Sequence, residues 1–273
     1  MTYLVTGATG RAGRHVVSEL LARGVPVRAL TRDPARATVL PAGAEVVAGD
    51  LTDPATLRTA FEGVVGVHLL TAAGDDYATL RTGPEIVALA ERAGVRRLAV
   101  LWNGKAGPVE EAVRAGRLEW TMLQPVDFMS NTLHWTESIR AAGEVREPFA
   151  DVRAAVVDEA DVGAVAAEVL TGEGHAGQAY TLTGPQALTP RQRLAAVAAA
   201  TGRELRFVEL TEEQARARWR QAGYDEELID LLASWQGDPP PVAYTVTDTV
   251  QRLLGRPPRT FADWARAHAD AFR

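Results

Sequence analysis

The amino-acid sequence predicts an α/β fold, a doubly wound parallel sheet joined to a small α/β C-terminal substrate lobe. Three observations carry that prediction. Short apolar runs rich in β-branched residues alternate with amphipathic helical stretches through the first half of the chain. A glycine-rich turn, Gly7-Ala8-Thr9-Gly10-Arg11-Ala12-Gly13, directly follows the first of these runs. Beyond about residue 130 the alternation loosens into a mixed pattern of helices and isolated strands.

The elements follow in order. Strands are expected at Tyr3–Thr6, Val27–Thr31, Glu45–Ala48, Gly66–Thr71, Arg97–Trp102 and Trp120–Gln124, with helices near 11–23, 54–61, 79–93 and 107–116 between them. Pro34, Pro54 and Pro108 stand at the starts of helical segments, where a missing N–H is no loss, and Asp53 suits an N-cap. Right-handed crossovers on such a sheet place a ligand crevice at the carboxyl ends of the strands. That rule selects residues around 7–13, 31–32, 50–51, 71–74, 102–105 and 124–128. In the second half, Ala154–Val157 and Gln178–Thr183 read as strands, and 158–170, 190–201, 211–221 and 225–235 as helices. Asp238-Pro239-Pro240-Pro241 breaks the chain before two short helices. The expected division is a dinucleotide-binding domain over 1–130 and a smaller substrate-binding lobe over 131–273, interleaved with the last strands of the sheet.

Composition limits the chemistry. The formal net charge of -6, from 29 basic and 35 acidic side chains, argues against a nucleic-acid partner. There is no cysteine, so disulfides, thiolate metal sites and cysteine nucleophiles are excluded. His15, His68, His134, His175 and His268 form no pair at helical spacing, and no metal is expected. No apolar run approaches the ~20 residues of a membrane span. No charged-then-apolar leader precedes the glycine turn, so a cytoplasmic location is expected, with a small-molecule substrate and a monomer or homodimer. Lys105 is the single lysine in the chain.

A strand, then Gly7-x-x-Gly10-x-x-Gly13, then a helix is the setting of a dinucleotide fingerprint. Gly7 allows the tight turn, Gly10 lets backbone approach a pyrophosphate, and Gly13 lets the helix pack close to the strand. The helix N-terminus offers N–H groups and partial positive charge to the phosphates, with Thr9, Arg11 and Ala12 completing the loop. An NAD site ordinarily ends its second strand with a carboxylate for the ribose 2′-OH. Here the strand ends Leu30-Thr31-Arg32-Asp33, and Arg32 stands where a guanidinium can fork onto a 2′-phosphate, with Arg11 and Arg36 as helpers. NADP(H) is therefore expected over NAD(H). Asp50 and Leu51 follow the third strand, where a carboxylate can accept from the adenine amino group or simply cap a turn. Thr71, Ala72, Ala73 and Gly74 end the fourth strand with small residues that let backbone pass beside the cofactor.

An ordered set of segments then resembles the NmrA-like branch of the atypical short-chain dehydrogenase/reductases. The matching segments are Val5-Thr6-Gly7-Ala8-Thr9-Gly10, Thr31-Arg32-Asp33-Pro34, Gly49-Asp50-Leu51-Thr52-Asp53, Ala93-Gly94-Val95-Arg96-Arg97 and Leu118-Glu119-Trp120-Thr121-Met122-Leu123-Gln124-Pro125. Phe128-Met129-Ser130-Asn131, Tyr180-Thr181-Leu182-Thr183-Gly184 and Gly255-Arg256-Pro257-Pro258-Arg259-Thr260 extend the match over nearly the whole chain. The resemblance implies a Rossmann domain, NADP(H) preference, and a substrate cleft between two lobes. Its members include quinone and ketone reductases, phenylpropanoid reductases, and regulators that bind the dinucleotide without turnover.

Typical short-chain dehydrogenases carry a Ser on the fifth strand and Tyr-x-x-x-Lys on the next helix, the tyrosine protonating the carbonyl oxygen as hydride arrives. In this chain that strand ends Val100-Leu101-Trp102-Asn103-Gly104-Lys105, and the following helix contains no tyrosine. Asn103 can donate to a developing oxyanion. Lys105 can donate a proton or hold the nicotinamide ribose. Trp102 can stack on the nicotinamide or on an aromatic substrate. Alternatively water or a substrate phenol supplies the proton. Gln124-Pro125-Val126 is expected beside the nicotinamide, with Gln124 replacing the family's more common Arg. Phe128, Met129, His134 and Trp135 are expected to line the substrate cleft, suiting a bulky aromatic or polyketide-like molecule.

The leading functional expectation is an NADPH-dependent reductase of a ketone, quinone or conjugated double bond. The alternative is a non-catalytic NADP(H) sensor acting through a protein partner. An epimerase using tightly held NAD fits poorly, because the tyrosine is absent and the second strand favours NADP.

Overall fold

The computed structural model describes residues 1–73, 78–104 and 106–273. In chain order the elements are β1 (Thr2–Val5), α1 (Gly13–Ala22), β2 (Val27–Thr31), β3 (Glu45–Ala48), α2 (Arg58–Phe61), β4 (Val64–Leu70), β5 (Ala72–Ala73), β6 (Ala78–Thr79), α3 (Gly83–Arg92), β7 (Arg97–Leu101), α4 (Pro108–Ala115) and β8 (Glu119–Pro125). Then follow α5 (Thr136–Ala142), β9 (Glu144–Glu147), α6 (Glu159–Thr171), β10 (Gln178–Leu182), α7 (Pro190–Thr201), β11 (Arg206–Glu209), α8 (Glu212–Gln221), α9 (Glu226–Gly237), α10 (Thr249–Leu254), α11 (Phe261–Ala267) and α12 (Ala269–Phe272).

The chain divides into two compact units. The first comprises 1–125, 159–182 and 252–255; the second comprises 126–158, 183–251 and 256–273. The boundary falls at Pro125, at the end of β8, and α6 with β10 returns the chain to the first unit before it leaves again.

The first unit is a seven-stranded sheet in the order β10-β8-β7-β4-β1-β2-β3, and every pair in it is parallel. It is the doubly wound arrangement the sequence predicts: the order reverses at β1, between β2 on one side and β4 on the other. Its inner strands read as continuous apolar runs because both faces are covered, whereas the edge strand β3 is largely exposed. Leu4, Leu30, Val67, Leu69, Leu98, Val100 and Met122 join Phe61, Ile86 and Val109 in one buried cluster. Helix α6 has almost no polar stripe: ten of its residues are buried, from Glu159 and Asp161 to Leu170. It packs against α1 at Gly163, where an added Cβ would lie 2.5 Å from the His15 Cβ.

The second unit has its own core, with Trp135, Ile139, Val145, Leu194, Val197, Phe261, Trp264 and Phe272 buried together. Strands β9 and β11 form a separate parallel pair. The expected strand Ala154–Val157 does not join a ladder; the Ala155 N–H donates to the Ala243 carbonyl, and Val157 bridges to Phe128. Phe149, at φ 53°, is the one non-glycine residue with positive φ among the described residues, and its ring lies 2.9 Å from where a Cβ on Gly237 would stand.

Candidate functional site

The glycine turn leaves β1 and enters α1, and its geometry requires glycine at two positions. Gly7 has φ 59°, and a Cβ there would stand 2.4 Å from Leu70 Cδ1. Gly13 opens α1 against the turn, where a Cβ would lie 2.1 Å from the Gly7 carbonyl oxygen. Gly10 is exposed at the tip of the turn and donates to that same carbonyl at 2.9 Å. No side chain caps α1, so the start of the helix is open to a ligand. The glycines let the turn pack tightly between β4 and α1, and the uncapped N–H groups at the start of α1 suit a pyrophosphate. Thr9 is half-buried, Ala12 buried and Arg11 exposed.

Beyond β2, Arg32 is exposed. The carboxylate next in the chain faces its own backbone. Asp33 accepts from the Ala35 N–H at 3.0 Å and caps a short 3-10 turn over Pro34–Val39. Asp50 is held below its ordinary range, chiefly by the Thr52 N–H, and the Arg32 charge adds to this. Its Oδ1 accepts from both the N–H and the hydroxyl of Thr52 at 2.8 Å, which is the turn-capping alternative for this residue. Leu51 is buried, and its carbonyl accepts from the Thr82 hydroxyl.

Thr71, Ala72 and Ala73 follow β4. Thr71 is buried, its hydroxyl 3.3 Å from the Leu101 carbonyl, and its carbonyl accepts from Leu80 N–H at 3.0 Å. Ala72 and Ala73 pair with Ala78 and Thr79 as a short antiparallel ladder. Gly74 lies outside the described residues.

At the end of β7 the Trp102 N–H donates to the Leu123 carbonyl at 3.0 Å, and its side chain packs against the main core cluster of the first unit. Asn103 and Gly104 are exposed, and Gly104 has φ 94°. Lys105 lies outside the described residues. The loop ends at Gly107, whose N–H donates to Glu110 Oε2 at 3.1 Å. Glu110 is only 1% exposed, and burial pushes its carboxyl above the ordinary range. Sequence reasoning misses it, because a glutamate three residues into a helix reads as an ordinary exposed cap.

Gln124 and Pro125 close β8, paired in register with Thr181 and Leu182 of β10. Val126 begins the second unit and, like Phe128, is half-buried. Two residues expected on the cleft wall are core side chains instead: Met129 is 1% and Trp135 2% exposed. Both pack with Val145, Val156 and Phe261, because the 3-10 turn Met129–Trp135 puts them on its inner side. His134 is exposed and committed elsewhere. Its Nε2 lies 3.0 Å from Glu147, which also receives Arg218.

A partly buried carboxylate precedes that turn. Burial pushes the Asp127 carboxyl up, and the Arg193 charge, the Asn131 amide and the Phe128 N–H oppose the shift. Arg193 lies over the Trp135 ring, 5.4 Å from its centroid. The aspartate two residues after Pro125 carries no spacing signal that would single it out.

The NmrA-like family profile matches residues 1–238. The chain belongs to the NmrA-like family. The (4-alkanoyl-5-oxo-2,5-dihydrofuran-3-yl)methyl phosphate reductase of Streptomyces griseus is 41% identical, over 98% of each chain. The NAD(P)H azoreductase of Xenophilus azovorans is 38% identical, again over 98% of each. Among solved structures, the NADPH complex of an Escherichia coli NADPH-dependent quinone oxidoreductase superposes with a TM-score of 0.81 at 26% identity, covering 97% of this chain and 99% of that one. This family member is an oxidoreductase with a nicotinamide cofactor. No helix among the described residues is long and apolar enough to cross a membrane.

Proposed function

We propose that the chain is an NADP(H)-preferring reductase acting on a conjugated acceptor, a quinone or a double bond conjugated to a carbonyl, in a bulky ring-containing molecule. The observation that carries this reading is the tight turn of Gly7 and Gly13, set at the strand ends beside an exposed Arg32 whose neighbouring carboxylate is turned away. The bound nicotinamide supplies a hydride from C4. The helix N-terminus and the loop amides would hold the pyrophosphate, and Arg32 would fork onto the 2′-phosphate, with Arg11 assisting.

The preference for a conjugated acceptor follows from the missing tyrosine. Hydride addition to a simple ketone leaves a strongly basic alkoxide, which needs a positioned acid. Addition to a quinone or enone leaves a delocalised anion that water can protonate. For such a substrate, orientation and one hydrogen bond from the Asn103 amide to the oxygen that gains charge are sufficient. The related reductases support the class, since a butenolide, an azo group and a quinone are all conjugated two-electron acceptors. Lys105 would hold the ribose or donate the proton, and Gln124 and Pro125 would border the ring. Trp102 would offer apolar contact to the substrate.

The test is direct. Purified protein with NADPH is mixed in turn with para-quinones, acyl butenolides, azo dyes and simple aromatic ketones, and the absorbance of the reduced cofactor is followed. Oxidation with the conjugated acceptors and little with the ketones is expected. Silence across the whole panel, with NADPH still bound, would instead favour a sensor.

A further inference from the structure

The chain carries one short motif twice, beyond the carboxyl ends of two neighbouring parallel strands. Asp33-Pro34-Ala35 follows β2 and Asp53-Pro54-Ala55 follows β3. The two copies fold alike. Asp33 has φ -126° and ψ 99°, and Asp53 has φ -128° and ψ 89°. Each proline opens a 3-10 turn, where its missing N–H is no loss. Each aspartate caps that turn with its own carboxylate, Asp33 accepting from the Ala35 N–H at 3.0 Å and Asp53 from the Ala55 N–H at 3.2 Å. Each aspartate carbonyl accepts from the N–H three residues on, that of Arg36 in one copy and Thr56 in the other, at 3.1 Å in both. A shape that recurs with the motif is set by the motif and needs no ligand. The first copy has a further tie. The buried Thr31 hydroxyl donates to the Asp33 carbonyl at 3.1 Å and accepts from its N–H at 3.2 Å. The Thr31 carbonyl in turn accepts from the Gly49 N–H, just past β3, at 3.1 Å. Arg32 stands between these two anchored residues, so its backbone is fixed and only its side chain is left to search.

We propose that Asp33 is a positioning residue for recognition of the 2′-phosphate: by capping the turn after β2 it holds the backbone of Arg32, and its carboxylate is thereby withheld from the ribose. The inference rests on the proposed NADP(H) preference for the role of Arg32, although the cap itself does not. An acidic residue at the end of this strand would ordinarily accept from the ribose 2′-OH of NAD. Here the carboxylate already has a backbone partner, and turning it to a ribose would break the cap. An arginine whose backbone is already fixed binds phosphate without the cost of ordering the loop at that moment. Loss of the cap therefore weakens NADPH and leaves NADH alone. Asp53 is the control within the same sheet, because it makes the same cap with Thr52 in place of Arg32 before it.

The experiment compares the full chain with D33N, D33A and D53A, and with D33A placed on R32A. Dissociation constants for NADPH and NADH are measured by titration, together with hydrogen exchange of peptides over 31–40. Asn and Ala both remove the charge, and Asn alone keeps a capping oxygen, so the difference between them reports the cap. D33A is expected to bind NADPH about fivefold more weakly than D33N and to exchange faster over 31–40, with NADH within about twofold of the parent in both. On R32A the further loss from D33A is expected to vanish, because the cap acts through that arginine. D53A loses an equivalent cap and keeps the parent's ratio of NADPH to NADH affinity. The proposal is overturned if D33N and D33A bind NADPH alike, if the loss persists on R32A, or if D53A shifts the ratio as far as D33A does. It is equally overturned if D33N weakens NADH by about tenfold, as loss of a charged ribose contact would. A parent that binds both cofactors equally would sink the NADP(H) preference, while exchange over 31–40 in D33A against D33N would still decide the tie.

Discussion

Arg32 and Asp33 are adjacent on the chain and have opposite roles. Asp33 commits its carboxylate to the Ala35 N–H, while Arg32 stays at the surface beside the Asp50 charge. Arg32→Ala is expected to weaken NADPH by roughly tenfold or more, the worth of a charge-assisted pair, and to leave NADH within about twofold. Titration of both cofactors checks it; equal losses would return the site to NAD. Asn103→Ala is expected to lower kcat for a quinone by about a hundredfold or more with KM for NADPH little changed, as loss of one oxyanion donor does. Steady-state kinetics of that variant beside Lys105→Ala separates the two candidates. Sequence alone points to Asn103 and Lys105 equally, because both follow the fifth strand of a chain that lacks the usual serine, tyrosine and lysine. It does not point to Glu110 or Asp127, since nothing in their spacing tells that the fold buries Glu110 or that desolvation raises the Asp127 carboxyl.

The inner strands are legible as elements because the part of a parallel sheet covered on both faces needs unbroken apolar runs, and the exposed edge strand β3 is marked by its β-branched pair. Val27–Thr31 and Glu45–Ala48 fall where the pattern puts them. Ala154–Val157 has the same composition yet pairs only through single bridges to Phe128 and Leu188, since pairing depends on partners distant in sequence. The Met and Trp of the turn after β8 likewise look suited to a pocket wall, and their burial depends on α7 and α11, which no local pattern reveals. Two helices depend on a glycine for close approach. Gly13→Ala would place a methyl 2.1 Å from the Gly7 oxygen, so α1 must shift; NADPH affinity is expected to fall at least tenfold, as isothermal titration would show. Gly163→Ala would meet the His15 backbone and Cβ, with the nearest atom at 2.5 Å. It is expected to destabilise the first unit by about 1–3 kcal/mol in a denaturant titration.

At the scale of the whole molecule, the two units share one chain that crosses between them at Pro125, Asp158, Leu182, Gln251 and Gly255. The loosening of the pattern puts the first crossing near residue 130, and the later strand-like runs mark a return to the sheet. A buried histidine in that sheet links stability to pH. His68 on β4 is fully buried, and burial lowers its pKa from 6.5 to about 4. Between those values the unfolded chain binds a proton that the folded chain refuses. The contribution is complete above pH 6.5 and is lost as pH falls toward 4, by about 3 kcal/mol. Thermal melts of the parent and of His68→Leu across that range check it; the variant's profile should be flatter by about that amount.

The proposed reductase passes hydride from the nicotinamide to a conjugated acceptor without a tyrosine acid. NADPH carrying deuterium at both C4 positions tests it most directly, with a para-quinone or an acyl butenolide as acceptor. The account predicts single turnover in which the deuterium leaves the cofactor, appears on carbon of the reduced butenolide, and arrives at a rate unaffected by replacing any tyrosine in the chain. Retention of deuterium on the cofactor with every acceptor, or a rate that collapses on loss of one tyrosine, would contradict it.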